Sequence, residues 1–227
     1  MATAMPRART TAAPAGRPLR SDAVENRERV LAAAALAIKR HGEKVPMASI
    51  AAAAGVGVGT VYRRYPTRAR LLDALSERSY RLVLAHARAA ATSRASAPAA
   101  IRRFFERTIR ARDDLILPLH GGPVSLDETI VGLRTEISDL LEQVLARGRA
   151  DGTIRPDVTA IDIILTGAML AQPLAHTPGW DRLARRQAAI YTAGLAAGDA
   201  RPLPGRQPTR AQLEAGFEQG TTGAAHH

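Results

Sequence analysis

Apolar residues return at helical spacing along almost the whole chain, and no stretch shows the strict alternation of a half-buried strand, so the pattern predicts an all-α protein. The first face is Val24, Leu31, Ala34, Ala35 and Ile38, with Asp22 and Glu25 spaced as a capping box at its start and His41-Gly42 stopping it. Pro46 opens a second, short helix with its preset φ, and Pro66-Thr67 separates a third from a long fourth helix over about Thr67 to Ser93. Further helices are predicted over about Ala99 to Asp114, Leu126 to Ala150, Thr159 to Leu174 and Trp180 to Ala197. The segment Leu115 to Ser125, carrying Pro118, Gly121, Gly122 and Pro123, cannot be one continuous helix. Beyond Gly198 the Pro, Gly, Arg and Gln content predicts a flexible tail, with at most a short helix around Thr209 to Phe217.

Chemistry concentrates where the second and third helices meet. Ser49 to Tyr65 reads as a short alanine-rich helix, a turn at Gly55, and a second short helix that ends in Tyr62-Arg63-Arg64-Tyr65. Small residues at 51 to 54 let two helices approach closely, Gly55 takes the left-handed conformation that stops the first, and Val56 plugs the angle between them. The spacing Gly55-x-Gly57-x-Gly59 also suggests a phosphate cradle of a dinucleotide-binding fold. That fingerprint needs a preceding strand and a third glycine three residues after the second, and here an alanine helix precedes and no such glycine follows. The segment therefore reads as a helix-turn-helix whose second helix offers hydroxyls, an aromatic ring and two guanidinium groups to phosphates and base edges.

From about Asp22 to Leu72 the chain resembles the N-terminal DNA-binding domain of the TetR family of transcriptional regulators. The resemblance lies in Ile50-Ala51, Ala54-Gly55-Val56, Gly59-Thr60-Val61-Tyr62 and the run Tyr65-Pro66-Thr67-Arg68-Ala69-Arg70-Leu71-Leu72. It implies DNA contacts from Ser49, Val58, Gly59, Thr60, Tyr62, Arg63, Arg64, Thr67 and Arg68, an inverted-repeat operator in double-stranded DNA, and a homodimer. Three positions depart from the family pattern: Gly57 stands where a capping Ser is usual, Val58 where a polar residue is common, and Arg63-Arg64 where an aromatic or His pair is commoner. The implied organisation is a basic disordered arm over 1-20, the helix-turn-helix domain over 21-72, an effector-binding and dimerisation domain over 73-198, and a flexible tail over 199-227.

Charge supports the partner. The formal net charge is +11, and residues 1 to 80 hold fourteen Lys and Arg against six Asp and Glu, whereas the remainder holds eighteen against fifteen. One basic end on a nearly neutral body suits a protein that grips polyphosphate at that end. The absence of cysteine excludes disulfides and thiolate metal sites. No apolar run is long enough for a membrane span and the N-terminus lacks a signal-peptide core, which predicts a cytoplasmic protein that makes no use of a membrane. No two histidines stand at a metal-ligand spacing on a helix, and no nucleophile-elbow or Walker sequence occurs, so neither an enzyme nor a metal or other cofactor is expected.

The C-terminal half offers faces rather than motifs. Ile161, Ile164, Leu165 and Ala168, with Ile190 and Gly194 on the next helix, predict a four-helix bundle across a two-fold axis. Phe104, Phe105, Ile109, Leu117, Leu119, His120, Leu126, Ile130 and Met169 are the candidate lining of an apolar cavity for a small-molecule effector, with His120 its polar group. The reading is a repressor released from its operator by such an effector, and the alternative is an architectural DNA-binding protein without a ligand.

Overall fold

The computed structural model describes residues 19–120, 122, 124–198 and 201–224; the predicted basic arm lies outside the described residues except at its last two positions, as does the His226-His227 pair. The described residues form α1 (Leu19–His41), α2 (Met47–Ala54), α3 (Val58–Arg64), α4 (Arg68–Ala91), α5 (Ala97–Ala111), α6 (Glu128–Ala150), α7 (Ala160–Leu170), α8 (Trp180–Gly194) and α9 (Arg210–Ala224), with 3-10 turns at Arg112–Asp114 and Pro118–His120. None of these helices is long and apolar enough to cross a membrane.

Two hydrophobic cores organise the chain. In the first, Leu31, Ala34, Ala35 and Ile38 of α1 meet Ile50, Ala51 and Ala54 of α2, Val61 of α3, and Leu71 and Leu75 of α4. The second gathers Tyr80, Val83, Leu84 and Ala87 of α4 with Ile101, Phe104, Phe105 and Ile109 of α5, Leu141 and Leu145 of α6, Ile163 of α7, and Ala184 and Ala188 of α8. Helix α4 thus serves both cores with successive turns. The segment after α5 serves both as well: Leu115 is buried in the second core and its neighbour Ile116 in the first. Ser79 ties the two routes together, because its hydroxyl donates to the Leu75 carbonyl at 2.8 Å and accepts from the Ile116 N–H at 2.9 Å.

Local chemistry sets the helix ends. Thr159 and Asp162 form a capping box at α7, the threonine oxygen accepting from the Asp162 N–H at 3.4 Å and the carboxylate from the Thr159 N–H at 2.8 Å. Trp180 at the start of α8 donates its indole N–H to the Leu170 carbonyl at 2.9 Å, closing the α7–α8 connection.

Three elements differ from the sequence expectation. Helix α1 starts at Leu19, so Asp22 lies inside the helix rather than at its start. Helix α7 stops at Leu170 rather than Leu174, since Pro173 has no N–H and restricts the residue before it. Within the segment expected to be a flexible tail, Arg210–Ala224 form α9, which reaches the body through a buried Phe217 and an ion pair from Glu214 to Arg134. Tertiary contacts hold a helix there that local propensity does not favour.

Close packing of α6 against the start of α5 depends on Gly148, where an added Cβ would lie 2.3 Å from Ile154 Cγ1 and 2.6 Å from Ala97 Cβ. Gly148→Ala is expected to destabilise the body by about 1–3 kcal/mol through overpacking. Thermal unfolding checks this, and a raised midpoint, as in an ordinary helical Gly→Ala exchange, would contradict it.

Candidate nucleic-acid interface and ligand cavity

The turn between α2 and α3 is built by backbone geometry. Gly55 sits at φ 66°, the left-handed region that favours glycine, and the Val56 N–H donates back to the Ala51 carbonyl at 3.1 Å. Gly57 caps α3 in an extended conformation without a side-chain bond. The short α3 then divides sharply. Val61 and the following Tyr65 are buried, while Val58, Gly59, Tyr62, Arg63 and Arg64 stand in solvent on the opposite side. Arg63 donates to Thr60 Oγ1 at 3.2 Å, which extends its guanidinium along the helix surface. A groove between α3 and α1 adds Asn26 and Arg27 to this face, with Thr60, Arg63 and Arg64 on its other wall.

Beside the second core lies a cavity of about 70 Å³. Tyr80 and Val83 of α4, Phe104 and Thr108 of α5, Leu115, Leu117, Leu119 and His120 of the connecting segment, Arg134, Ile137 and Ser138 of α6, and Ile161, Ile164, Gly167 and Ala168 of α7 line it. Arg210, Leu213, Glu214 and Phe217 of α9 complete the wall. Its charged centre is Arg134, whose side chain is 6% exposed. The guanidinium donates to both Glu214 oxygens, at 2.9 and 2.6 Å, and to the Ser125 carbonyl at 3.0 Å, and it lies 5.8 Å from the Tyr80 ring centroid and 5.2 Å from that of Phe217. Burial disfavours the charge, and the bonds and charge of Glu214 together with the neighbouring Tyr80 outweigh it, holding Arg134 above its ordinary value. Burial pushes the Tyr80 phenol up to about 12. It also lowers His120, with Lys39 acting in the same direction and a bond to the Ala168 backbone opposing both, and His120 Nε2 is buried with no hydrogen-bond partner among the described residues.

The family model for bacterial regulatory proteins of the tetR family matches residues 30–75. A TetR transcription regulatory protein from Mycobacterium vanbaalenii is 31% identical, over 79% of this chain and 99% of its own, with a TM-score of 0.57. The chain belongs to the TetR family. Two further structures share the fold: a tetR-family regulatory protein from Rhodococcus RHA1 at 21% identity, 77% and 98% coverage and TM-score 0.61, and AibR in complex with isovaleryl coenzyme A and operator DNA at 19% identity, 76% and 98% coverage and TM-score 0.60. No curated protein matches the sequence.

As a TetR-family protein the chain is a helix-turn-helix DNA-binding regulator, and its fold places the anticipated DNA residues unequally. Ser49, Val58, Gly59, Tyr62, Arg63 and Arg64 are exposed. Thr67 caps α4, its hydroxyl accepting from the Arg70 N–H at 3.3 Å, and Arg68 donates to the carbonyls of Glu43 and Val45, which fastens the α1–α2 loop to α4. Asn26 and Arg27 were not anticipated, since nothing in the α1 sequence marks which of its polar residues face α3.

Of the nine residues anticipated along an apolar lining, the structure places four at this cavity and five elsewhere. Phe104, Leu117, Leu119 and His120 do line it. Phe105, Ile109 and Ile130 are instead packed solidly in the core, whereas Leu126 and Met169 are 50% and 66% exposed. Phe105 faces Gly167 and meets Tyr191 edge-on at 5.6 Å, so it has no open side. Ile161, Ile164 and Ala168, anticipated at a dimer interface, turn into the cavity, because residues three and four apart share one face of α7. Leu165 is half-buried, and Ile190 and Gly194 are exposed. Among the described residues no group of His, Asp and Glu could hold a metal ion.

Arg68→Ala is expected to lower stability by about 2 kcal/mol, from the loss of charge-assisted bonds to two carbonyls. Chemical denaturation measures this. An unchanged midpoint together with weakened DNA binding would instead make Arg68 a DNA contact.

Proposed function

We propose that this protein is a homodimeric repressor that binds an inverted-repeat operator through α3 and leaves it when a small molecule occupies the cavity of the second core. The observation that carries the reading is the segment Leu115–Ile116: Leu115 lines the cavity and Ile116 is packed among the residues that hold α3. A molecule that reshapes the cavity therefore presses on a residue whose neighbour belongs to the core of the DNA-binding domain. Ion pairs reinforce the same junction, since Arg78 of α4 binds Asp114 at 3.2 Å and Glu28 of α1 at 3.0 Å. Release requires that the effector favour a state with misplaced recognition helices, because equal affinity for both states shifts nothing.

The outer faces of α7 and α8 carry the dimer in this reading. Met169 at 66% and Ile190 at 56% exposure stand with Leu165, Ala193 and Gly194 on adjacent helices, an apolar surface that a two-fold partner would bury. AibR, crystallised with operator DNA and an acyl coenzyme A, has the same fold, and this supports the division of labour between the two ends of the chain.

Two variants test this reading. Arg64→Ala should weaken operator binding and reduce the slope of log affinity against log salt by about one unit if the side chain meets phosphate, or relax base preference at about 1–3 kcal/mol if it reads guanine. Affinity unchanged across a salt titration excludes both roles. Ile190→Glu should give a monomer by sedimentation velocity together with a large loss of operator affinity, since a carboxylate would be desolvated without a partner. A stable dimer in that variant would move the interface elsewhere.

A further inference from the structure

The cavity as it stands, about 70 Å³, falls well below the roughly 300–1,000 Å³ of sites that take small ligands. An effector can enter only if a wall gives way. The walls from α4, α5, α6 and α7 are the second core itself, but α9 is attached differently. It follows a connection containing Pro202, Pro204 and Pro208, it includes Gly216, Gly220 and Gly223, and Phe217 is its buried anchor. Glycine is a poor helix former beside alanine, so α9 persists through what it touches rather than through its own propensity.

What it touches has the form of a ligand. Glu214 and Phe217 lie three residues apart on one face of α9, presenting a carboxylate and an apolar group side by side. The carboxylate occupies both forks of Arg134, and Phe217 and Leu213 fill the adjoining apolar space. Arg134 belongs to α6 and is held independently of α9 by the Ser125 carbonyl and by the Tyr80 ring, whose centroid lies 5.8 Å away. If α9 withdraws, the guanidinium stays in place as a desolvated cation at the edge of an apolar chamber, and its planar fork fits a carboxylate in the same two-bond geometry. Leaving such a charge buried and unpaired is strongly unfavourable, so the open state calls for a replacement anion.

We propose that α9 is a built-in stand-in for the effector, and that the effector is an amphipathic carboxylic acid whose carboxylate displaces Glu214 from Arg134 while its apolar chain takes the space of Leu213 and Phe217. This deepens the ligand-released reading above and rests on it. The internal carboxylate is a competitor, so the apparent affinity for the acid is the intrinsic affinity reduced by the fraction of molecules with α9 withdrawn.

The test is calorimetric titration of the full chain with straight-chain acids from hexanoate to dodecanoate, and with methyl decanoate as the uncharged control. Decanoate should bind and the ester should not compete with it. Glu214→Gln removes the competitor's charge and should tighten decanoate binding, whereas Arg134→Gln removes the seat and should weaken it, each by about tenfold. A purely structural ion pair would make the two substitutions act in the same direction. Amide hydrogen exchange in Arg210–Ala224 should rise when decanoate binds. Equal shifts in both variants, an ester that binds as well as the acid, unchanged or increased protection of α9, or no binding by any acid to the wild type or Glu214→Gln would each overturn the proposal. Operator affinity measured on the same preparations separates this from the regulator itself: operator binding released by an uncharged compound would leave the effector reading standing and remove the acid.

Discussion

The structure of this chain depends on two hydrophobic cores that share α4 and the short segment Asp114 to Leu117. Leu71 and Leu75 fasten α4 to the DNA-binding end, and two turns later Tyr80, Val83 and Leu84 fasten it to the body. Adjacent residues Leu115 and Ile116 repeat that division within a single peptide unit. Because packed interiors resist compression, a change on one side of such a junction is passed on as a displacement rather than absorbed. Ser79 bridges the two routes through its hydroxyl, which joins α4 directly to the connecting segment.

The DNA-reading face follows from a narrower constraint. A helix of seven residues cannot hold its own shape, and α3 is kept by burying Val61 and the following Tyr65 against α1 and α2. With those two side chains inside, helical geometry leaves Tyr62, Arg63 and Arg64 outside. Arg68 and Thr67 serve the same end from the other side, the first fastening the α1–α2 loop and the second fixing the start of α4. Residues of the motif therefore divide between those left in solvent on α3 and those that hold α3 at its angle.

The helix-turn-helix was legible because its determinants are local: a left-handed glycine, alanines at a close crossing, and an aromatic-proline boundary, all within some fifty residues. The body was legible as helices and as a core, but its cavity was not. Arg134 sits in α6 at a position that looks like an ordinary polar surface residue, and its partner Glu214 lies 80 residues away in a stretch whose glycines and prolines suggest a tail. Such a pairing leaves no periodic trace. Faces of α7 were not separable for a related reason: on a helix apolar nearly all round, spacing does not say which side meets the core, and the structure turns Ile164 toward the cavity and leaves Met169 in solvent.

The central claim is that two copies of this chain present paired reading heads to DNA. Selection of bound sequences from random duplex DNA by the wild-type protein tests it most directly. The account predicts enrichment of an inverted repeat whose half-sites lie on one face of the duplex with centres ~34–36 Å apart, or a multiple of that spacing. Recovery of a direct repeat, or of no sequence preference at all, would contradict it.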